Sequence, residues 1–169
     1  MKKVLQFSGI IALVLAIVAF ILMMATNAVI VGSGNYQVVT AGTTAIFGKT
    51  ENLIGSLNAV TKASPLALIG WILMLVAMIA LILVIVLPLL KVKALDKFAG
   101  IIAFCICGLL VVAGIFMFLV VPTFYAANGY DSVPDNAAIG AGWVIGGILA
   151  IVAGAFAALP TIFGLLGKK

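Results

Sequence analysis

Gly48-Lys49-Thr50 has the residue types that close a phosphate-binding loop, with Gly42 upstream as the candidate opening glycine. Such a loop follows the pattern Gly-x-x-x-x-Gly-Lys-Ser/Thr, so that successive backbone N–H groups wrap a phosphate. Here five residues separate the glycines, and Thr43 to Phe47 are largely β-branched or aromatic, which suits a strand better than a phosphate nest. No nucleotide partner is expected. The other chemistry-bearing side chains are few. Cys105 and Cys107 are two residues apart in an apolar run, where a helix points them about 200° from each other and no bridge can form. Glu51, Asp131 and Asp135 are scattered in connecting segments, and the chain contains no histidine to act as base, proton shuttle or metal ligand. No catalytic, cofactor-binding or metal-binding residue is assigned, and the protein is not expected to be an enzyme.

The elements that hold these groups are hydrophobic. Two-thirds of the 169 residues are apolar and 8% are charged, far below the roughly one quarter of a water-soluble domain. Lipid must therefore solvate the apolar surface. Four apolar runs reach the roughly 20 residues that cross a bilayer as a helix: about 4–26, 66–90, 98–121 and 138–166. The first exceeds the roughly 7–15 apolar residues of a signal sequence, so it is expected to remain as a span. Ser64-Pro65 caps the start of the second, Pro122 stops the third, and Asp135 or Asn136 is positioned to cap the fourth. The predicted class is an all-α integral membrane protein with one transmembrane domain, a four-helix bundle.

Lysine placement predicts the orientation. All nine basic residues are lysines, and seven of them (Lys2, Lys3, Lys91, Lys93, Lys97, Lys168 and Lys169) fall on one side of a four-span chain. The positive-inside rule makes that side cytoplasmic, with both termini and the connector 91–97, and the plasma (inner) membrane is the expected location. Nucleic acid is not an expected partner, because these lysines form no basic face. Trp71, Tyr125 and Trp143 lie toward the opposite side and are expected to act as interfacial anchors.

The first outer loop, 27–63, has two β-prone runs, Tyr36 to Thr40 and Thr43 to Phe47, which predict a small hairpin around Ala41-Gly42. Thr50 to Val60 places Leu53, Ile54, Leu57 and Val60 at helical spacing, predicting a short amphipathic helix. The second outer loop, 123–136, contains an Asn128-Gly129 turn.

In lipid, helices associate by close packing of small residues. Gly142, Gly146, Ala150, Gly154 and Ala158 repeat every four residues in the fourth run, and Gly140, Gly147 and Gly154 every seven. The third run answers with Gly100, Cys107 and Gly114, also every seven, and the first offers Ser8, Ala12 and Ala16. The third and fourth helices are expected to pack antiparallel. The ridge of the fourth can face the third helix, the first helix or a second subunit.

No Asp, Glu, Lys or Arg lies within a span, which argues against ion- or proton-coupled transport. The layout resembles the claudin and peripheral-myelin group of tetraspan proteins: inward termini, a long first outer loop with β-prone runs, a short inner connector and a short second outer loop. That group carries a Trp–Gly-Leu-Trp motif and a cysteine pair in its first loop. This loop has neither Trp nor Cys, so no functional residue carries over. The chain is also similar in style to four-span membrane proteins of bacteria. The claudin-like resemblance implies lateral self-association. The small-residue ridge, the aromatic-rich outer side and the lack of chemistry at membrane depth make the expected role structural or scaffolding, with lipid and a second copy or another membrane protein as partners. A pore or holin-like subunit, or an accessory subunit of a larger complex, is the alternative.

Overall fold

The computed structural model describes residues 2–33, 36–52, 58–89 and 99–166. In chain order its elements are α1 (Lys2–Ala25), β1 (Asn27–Ser33), β2 (Tyr36–Ala41), α2 (Gly42–Phe47), β3 (Lys49–Asn52) and β4 (Asn58–Thr61). They continue with α3 (Pro65–Leu89), α4 (Ala99–Phe118), α5 (Val120–Ala127), β5 (Ala137–Ile139) and α6 (Ala141–Leu166). Four helices are long and apolar enough to cross a membrane, through Phe7–Ala25, Pro65–Val86, Gly100–Phe118 and Ala141–Ile162. The predicted connector 91–97 lies outside the described residues.

Small residues line much of the helix contact in this bundle. The interior includes many small or pliable side chains, among them Ala12, Ala16 and Ala19 of α1, Ala113 and Met117 of α4, and Ala150 and Ala153 of α6, all fully buried. Branched and bulky residues such as Phe7, Val14, Ile21, Ile79, Ile101 and Ile145 face outward. These outward faces belong to the four helices that are long and apolar enough to cross a membrane. Small residues at three- and four-residue spacing let helix backbones approach closely.

α6 packs extensively on both α4 and α1, and α3 closes the ring against those same two helices. Its span is accordingly the most enclosed of the four, 44% buried against 28–33% for the others.

A cap of strands and short helices covers one end of the bundle. β1 is the middle strand of a three-stranded antiparallel sheet in the order β2-β1-β5, and β3 and β4 form a separate antiparallel pair. β1 pairs with β2 from Ser33↔Tyr36 to Asn27↔Ala41 with an irregularity between Asn27 and Val29, and Val29↔Ile139 joins it to β5.

Several local expectations are corrected here. The hairpin partner of Tyr36–Ala41 is Asn27–Ser33, whereas Thr43 to Phe47 fold into α2. Burial of Ala45 and Ile46 overrides the β-propensity of that stretch. The amphipathic helix expected over 50–60 is absent at both ends, which pair as β3 and β4; residues 53–57 lie outside the described residues. Lys49 and Glu51 fit the strand: side chains two apart share a face of a strand but not of a helix, and theirs meet at 2.6 Å.

Asp135 and Asn136 do not cap the fourth long helix. Residues 137–139 form β5, and the Gly140 carbonyl accepts the first helical bonds from Trp143 and Val144 at 2.9 and 3.1 Å. A Cβ at Gly140 would overlap the Asn27 carbonyl, so only glycine lets β1 and the start of α6 come this close. The helical path also runs past Pro122, breaking at Leu119 and resuming as α5. A proline cannot bond the carbonyl one turn back, so the path breaks upstream of the ring.

Candidate association surface

Ser64 and Thr123 tie the cap to the bundle. The Ala67 N–H donates to Ser64 Oγ at 3.4 Å, and the two hydroxyls meet at 2.6 Å. Thr123 Oγ1 donates to the Leu119 carbonyl at 2.8 Å, which leaves Ser64 as the donor between the hydroxyls. Ser64 is fully buried, and its own N–H donates to the Ala45 carbonyl at 2.8 Å, so α2, α3 and α5 meet at one serine. Ser64→Ala removes the cap of α3 and leaves Thr123 short of a partner, at a cost of roughly 1–3 kcal/mol. Thermal unfolding in detergent checks this, and adding Thr123→Val should cost less than that change made alone, since the two substitutions share one of the bonds they remove.

Asn128 performs a similar task between the loops. Its Oδ1 accepts the Lys62 N–H at 2.8 Å, while its Nδ2 donates to the carbonyls of Lys62 at 3.1 Å and Phe124 at 2.8 Å. One side-chain amide thus pairs with Lys62 as a neighbouring strand would. With Asn128→Ala, trypsin should cleave after Lys62 roughly tenfold faster, the equivalent of about 1.4 kcal/mol of lost local protection, while cleavage after Lys49 stays constant as a reference.

The glycines of the phosphate-loop-like stretch have packing roles. Gly42 donates its N–H to the Thr26 carbonyl at 2.8 Å, and a side chain there would overlap the end of α1. Gly48 adopts φ +74 and closes α2 by donating to the Thr44 carbonyl at 2.8 Å. Lys49 sits on an exposed strand beside Glu51, whose carboxyl it holds below the usual carboxylate range by hydrogen bond and charge.

The small-residue ridge of α6 is covered from both sides by the same chain. A methyl on Gly142 would overlap Thr26 of the α1 end, and one on Gly146 would stand 2.7 Å from Met117 and 3.3 Å from the Ala19 carbonyl. Ala150 and Ala158 are buried. Across α4, Gly100 faces Thr161, the Cys107 carbonyl faces Gly154, and Gly114 faces the Gly147 carbonyl, an antiparallel register in steps of seven.

The aromatic residues occupy different settings. Trp143 is fully buried at the start of α6, so its ring faces the bundle interior rather than a surrounding solvent. Trp71 is half-buried between Phe20 and Phe47, with ring centroids at 6.1 and 5.1 Å. Among the described residues neither indole N–H has a hydrogen-bond partner. Tyr125 is buried against Phe124 and Tyr130, and its phenol is pushed above the ordinary range by burial, then by Tyr130.

Among the described residues no three His, Cys, Asp or Glu side chains come together. Cys105 is exposed on the helix surface, and both cysteines are free thiols. The sequence reading missed β2 as an open edge. Tyr36 is 91% exposed, Val38 72% and Val39 50%, on a strand that, among the described residues, pairs with β1 along one side only. Their presence in the β-prone run was readable; their exposure follows from a pairing that places β2 outermost. No protein-family model matches the chain, and no curated protein matches it.

Proposed function

We propose that this chain is a non-enzymatic, four-span membrane protein with a structural or scaffolding role, acting by association with itself or with another membrane protein. In this reading both termini lie in the cytoplasm, and the strand-bearing cap stands on the opposite face of the plasma (inner) membrane. The claudin-like layout is the arrangement it implies. One observation carries the reading: the close-packing glycines and alanines of α6 are occupied within the chain, while apolar residues stand open on the cap. A surface available for partners therefore lies on the cap rather than along that ridge.

The test is the native mass of the protein in mild detergent, followed by reconstitution into dye-loaded vesicles. A defined oligomer, or a complex with a second membrane protein, in vesicles that remain sealed is the expected result. Dye release by the reconstituted protein overturns the scaffolding role in favour of a pore.

A further inference from the structure

We infer that β2 is a self-pairing edge, through which two copies of this chain join their sheets in the order β5-β1-β2-β2-β1-β5. This deepens the proposed self-association and rests on that reading.

In an antiparallel sheet, alternate residues of an outermost strand turn both N–H and C=O away from their neighbour. β2 offers these groups along six residues, with no proline among them. Natural edges are commonly protected by lysines, prolines, bulges or inward charges. β2 contains no charged residue, and none occurs between Lys3 and Lys49. Five of its six side chains are exposed, so both faces of the strand stand open. The charges of the cap sit elsewhere, at Lys49, Glu51, Lys62, Asp131 and Asp135.

That neutrality suits a second copy as the occupant. A two-fold axis sets each strand against its own sequence, so a charged residue near the centre would face its like. Here the strand is electrostatically self-complementary. An antiparallel register centred on Val38 puts Val38 against Val38 and each Tyr36 against Thr40 of the other copy, on one face. Gln37 lies against Val39 on the other. Valine pairs and aromatic–β-branched pairs are favourable cross-strand neighbours, and the exposed Tyr36, Val38 and Val39 are covered together.

The experiment uses the full chain with Cys105→Ser and Cys107→Ser, carrying a single new cysteine, in native membranes under mild oxidation. Val38→Cys should form a disulfide-linked dimer, whereas Val60→Cys, 62% exposed on β4, should not. Val38→Lys, with two ammonium groups meeting at the axis, should abolish the dimer in detergent while leaving the thermal unfolding of the monomer unchanged. Equal cross-linking at positions 38 and 60 overturns the inference, and so does a dimer that survives Val38→Lys. In the latter case self-association stands and only its location is wrong. A parent protein that is monomeric in membranes overturns self-pairing outright, while dye release in the vesicle test removes the scaffolding reading on separate grounds.

Discussion

Gly114→Leu is expected to abolish the native bundle. At this position even a methyl group would stand 2.7 Å from the Gly147 carbonyl oxygen and 2.8 Å from Ile151 Cγ1, closer than atoms pack. Relief requires α4 and α6 to separate along their seam, because the obstruction includes backbone that cannot rotate away. Over-packing a well-filled interior costs about 1–3 kcal/mol when side chains can adjust, and more when the backbone must move. With total stabilities of roughly 5–15 kcal/mol, a loss above about 4 kcal/mol leaves little folded protein. Gly108 on the same helix supplies the control: nothing lies within 4 Å of a Cβ built there, so Gly108→Leu should fold like the parent. Size-exclusion profiles of the two variants in detergent check the pair, with aggregation expected for Gly114→Leu and a parental peak for Gly108→Leu.

Trp143 gives the second large effect. It is fully buried and heads the largest enclosed side chains. Trp143→Ala is expected to cost about 3–5 kcal/mol, combining lost contacts with the cavity left behind. Trp143→Phe should cost far less, because the indole N–H it removes has no partner to lose. Thermal unfolding of the two variants in detergent is the measurement. Equal losses would show that the site needs the whole indole and that a smaller aromatic ring does not support it.

The small residues of the helices were legible because their spacing is a property of the chain itself. Gly100, Cys107 and Gly114 recur at the same interval as Gly140, Gly147 and Gly154, so two helices of opposite direction can mesh along them. The choice between neighbours was not legible, since a ridge of small residues fits any close backbone; α6 uses it against both α4 and α1. The start of α3 was equally local, with Ser64 and Pro65 adjacent in sequence and both used.

The cap was harder to read because its order depends on distant pairing. β5 has three residues and exists through β1, more than a hundred positions upstream, so its own sequence carries almost no strand signal. Once β1 lies between β2 and β5, Thr43 to Phe47 are left to fill the space beneath the strands. A helix buries Ala45 and Ile46 there. Trp143 was misread for a related reason. Aromatic rings near a helix start commonly anchor at a lipid surface, but the cap extends over this one and encloses it. The open edge of β2 follows from the same strand order, which no local pattern specifies.

The proposed sidedness carries the functional reading: four helices would cross a bilayer, with the cap beyond one face and the lysine-rich connector expected beyond the other. Labelling of single cysteines at Tyr36 and Lys93 with an impermeant thiol reagent, in the Cys105→Ser, Cys107→Ser background, measures it most directly. Position 36 should react in intact cells, and position 93 only after the membrane is opened. Equal reaction of both positions in intact cells would contradict the account.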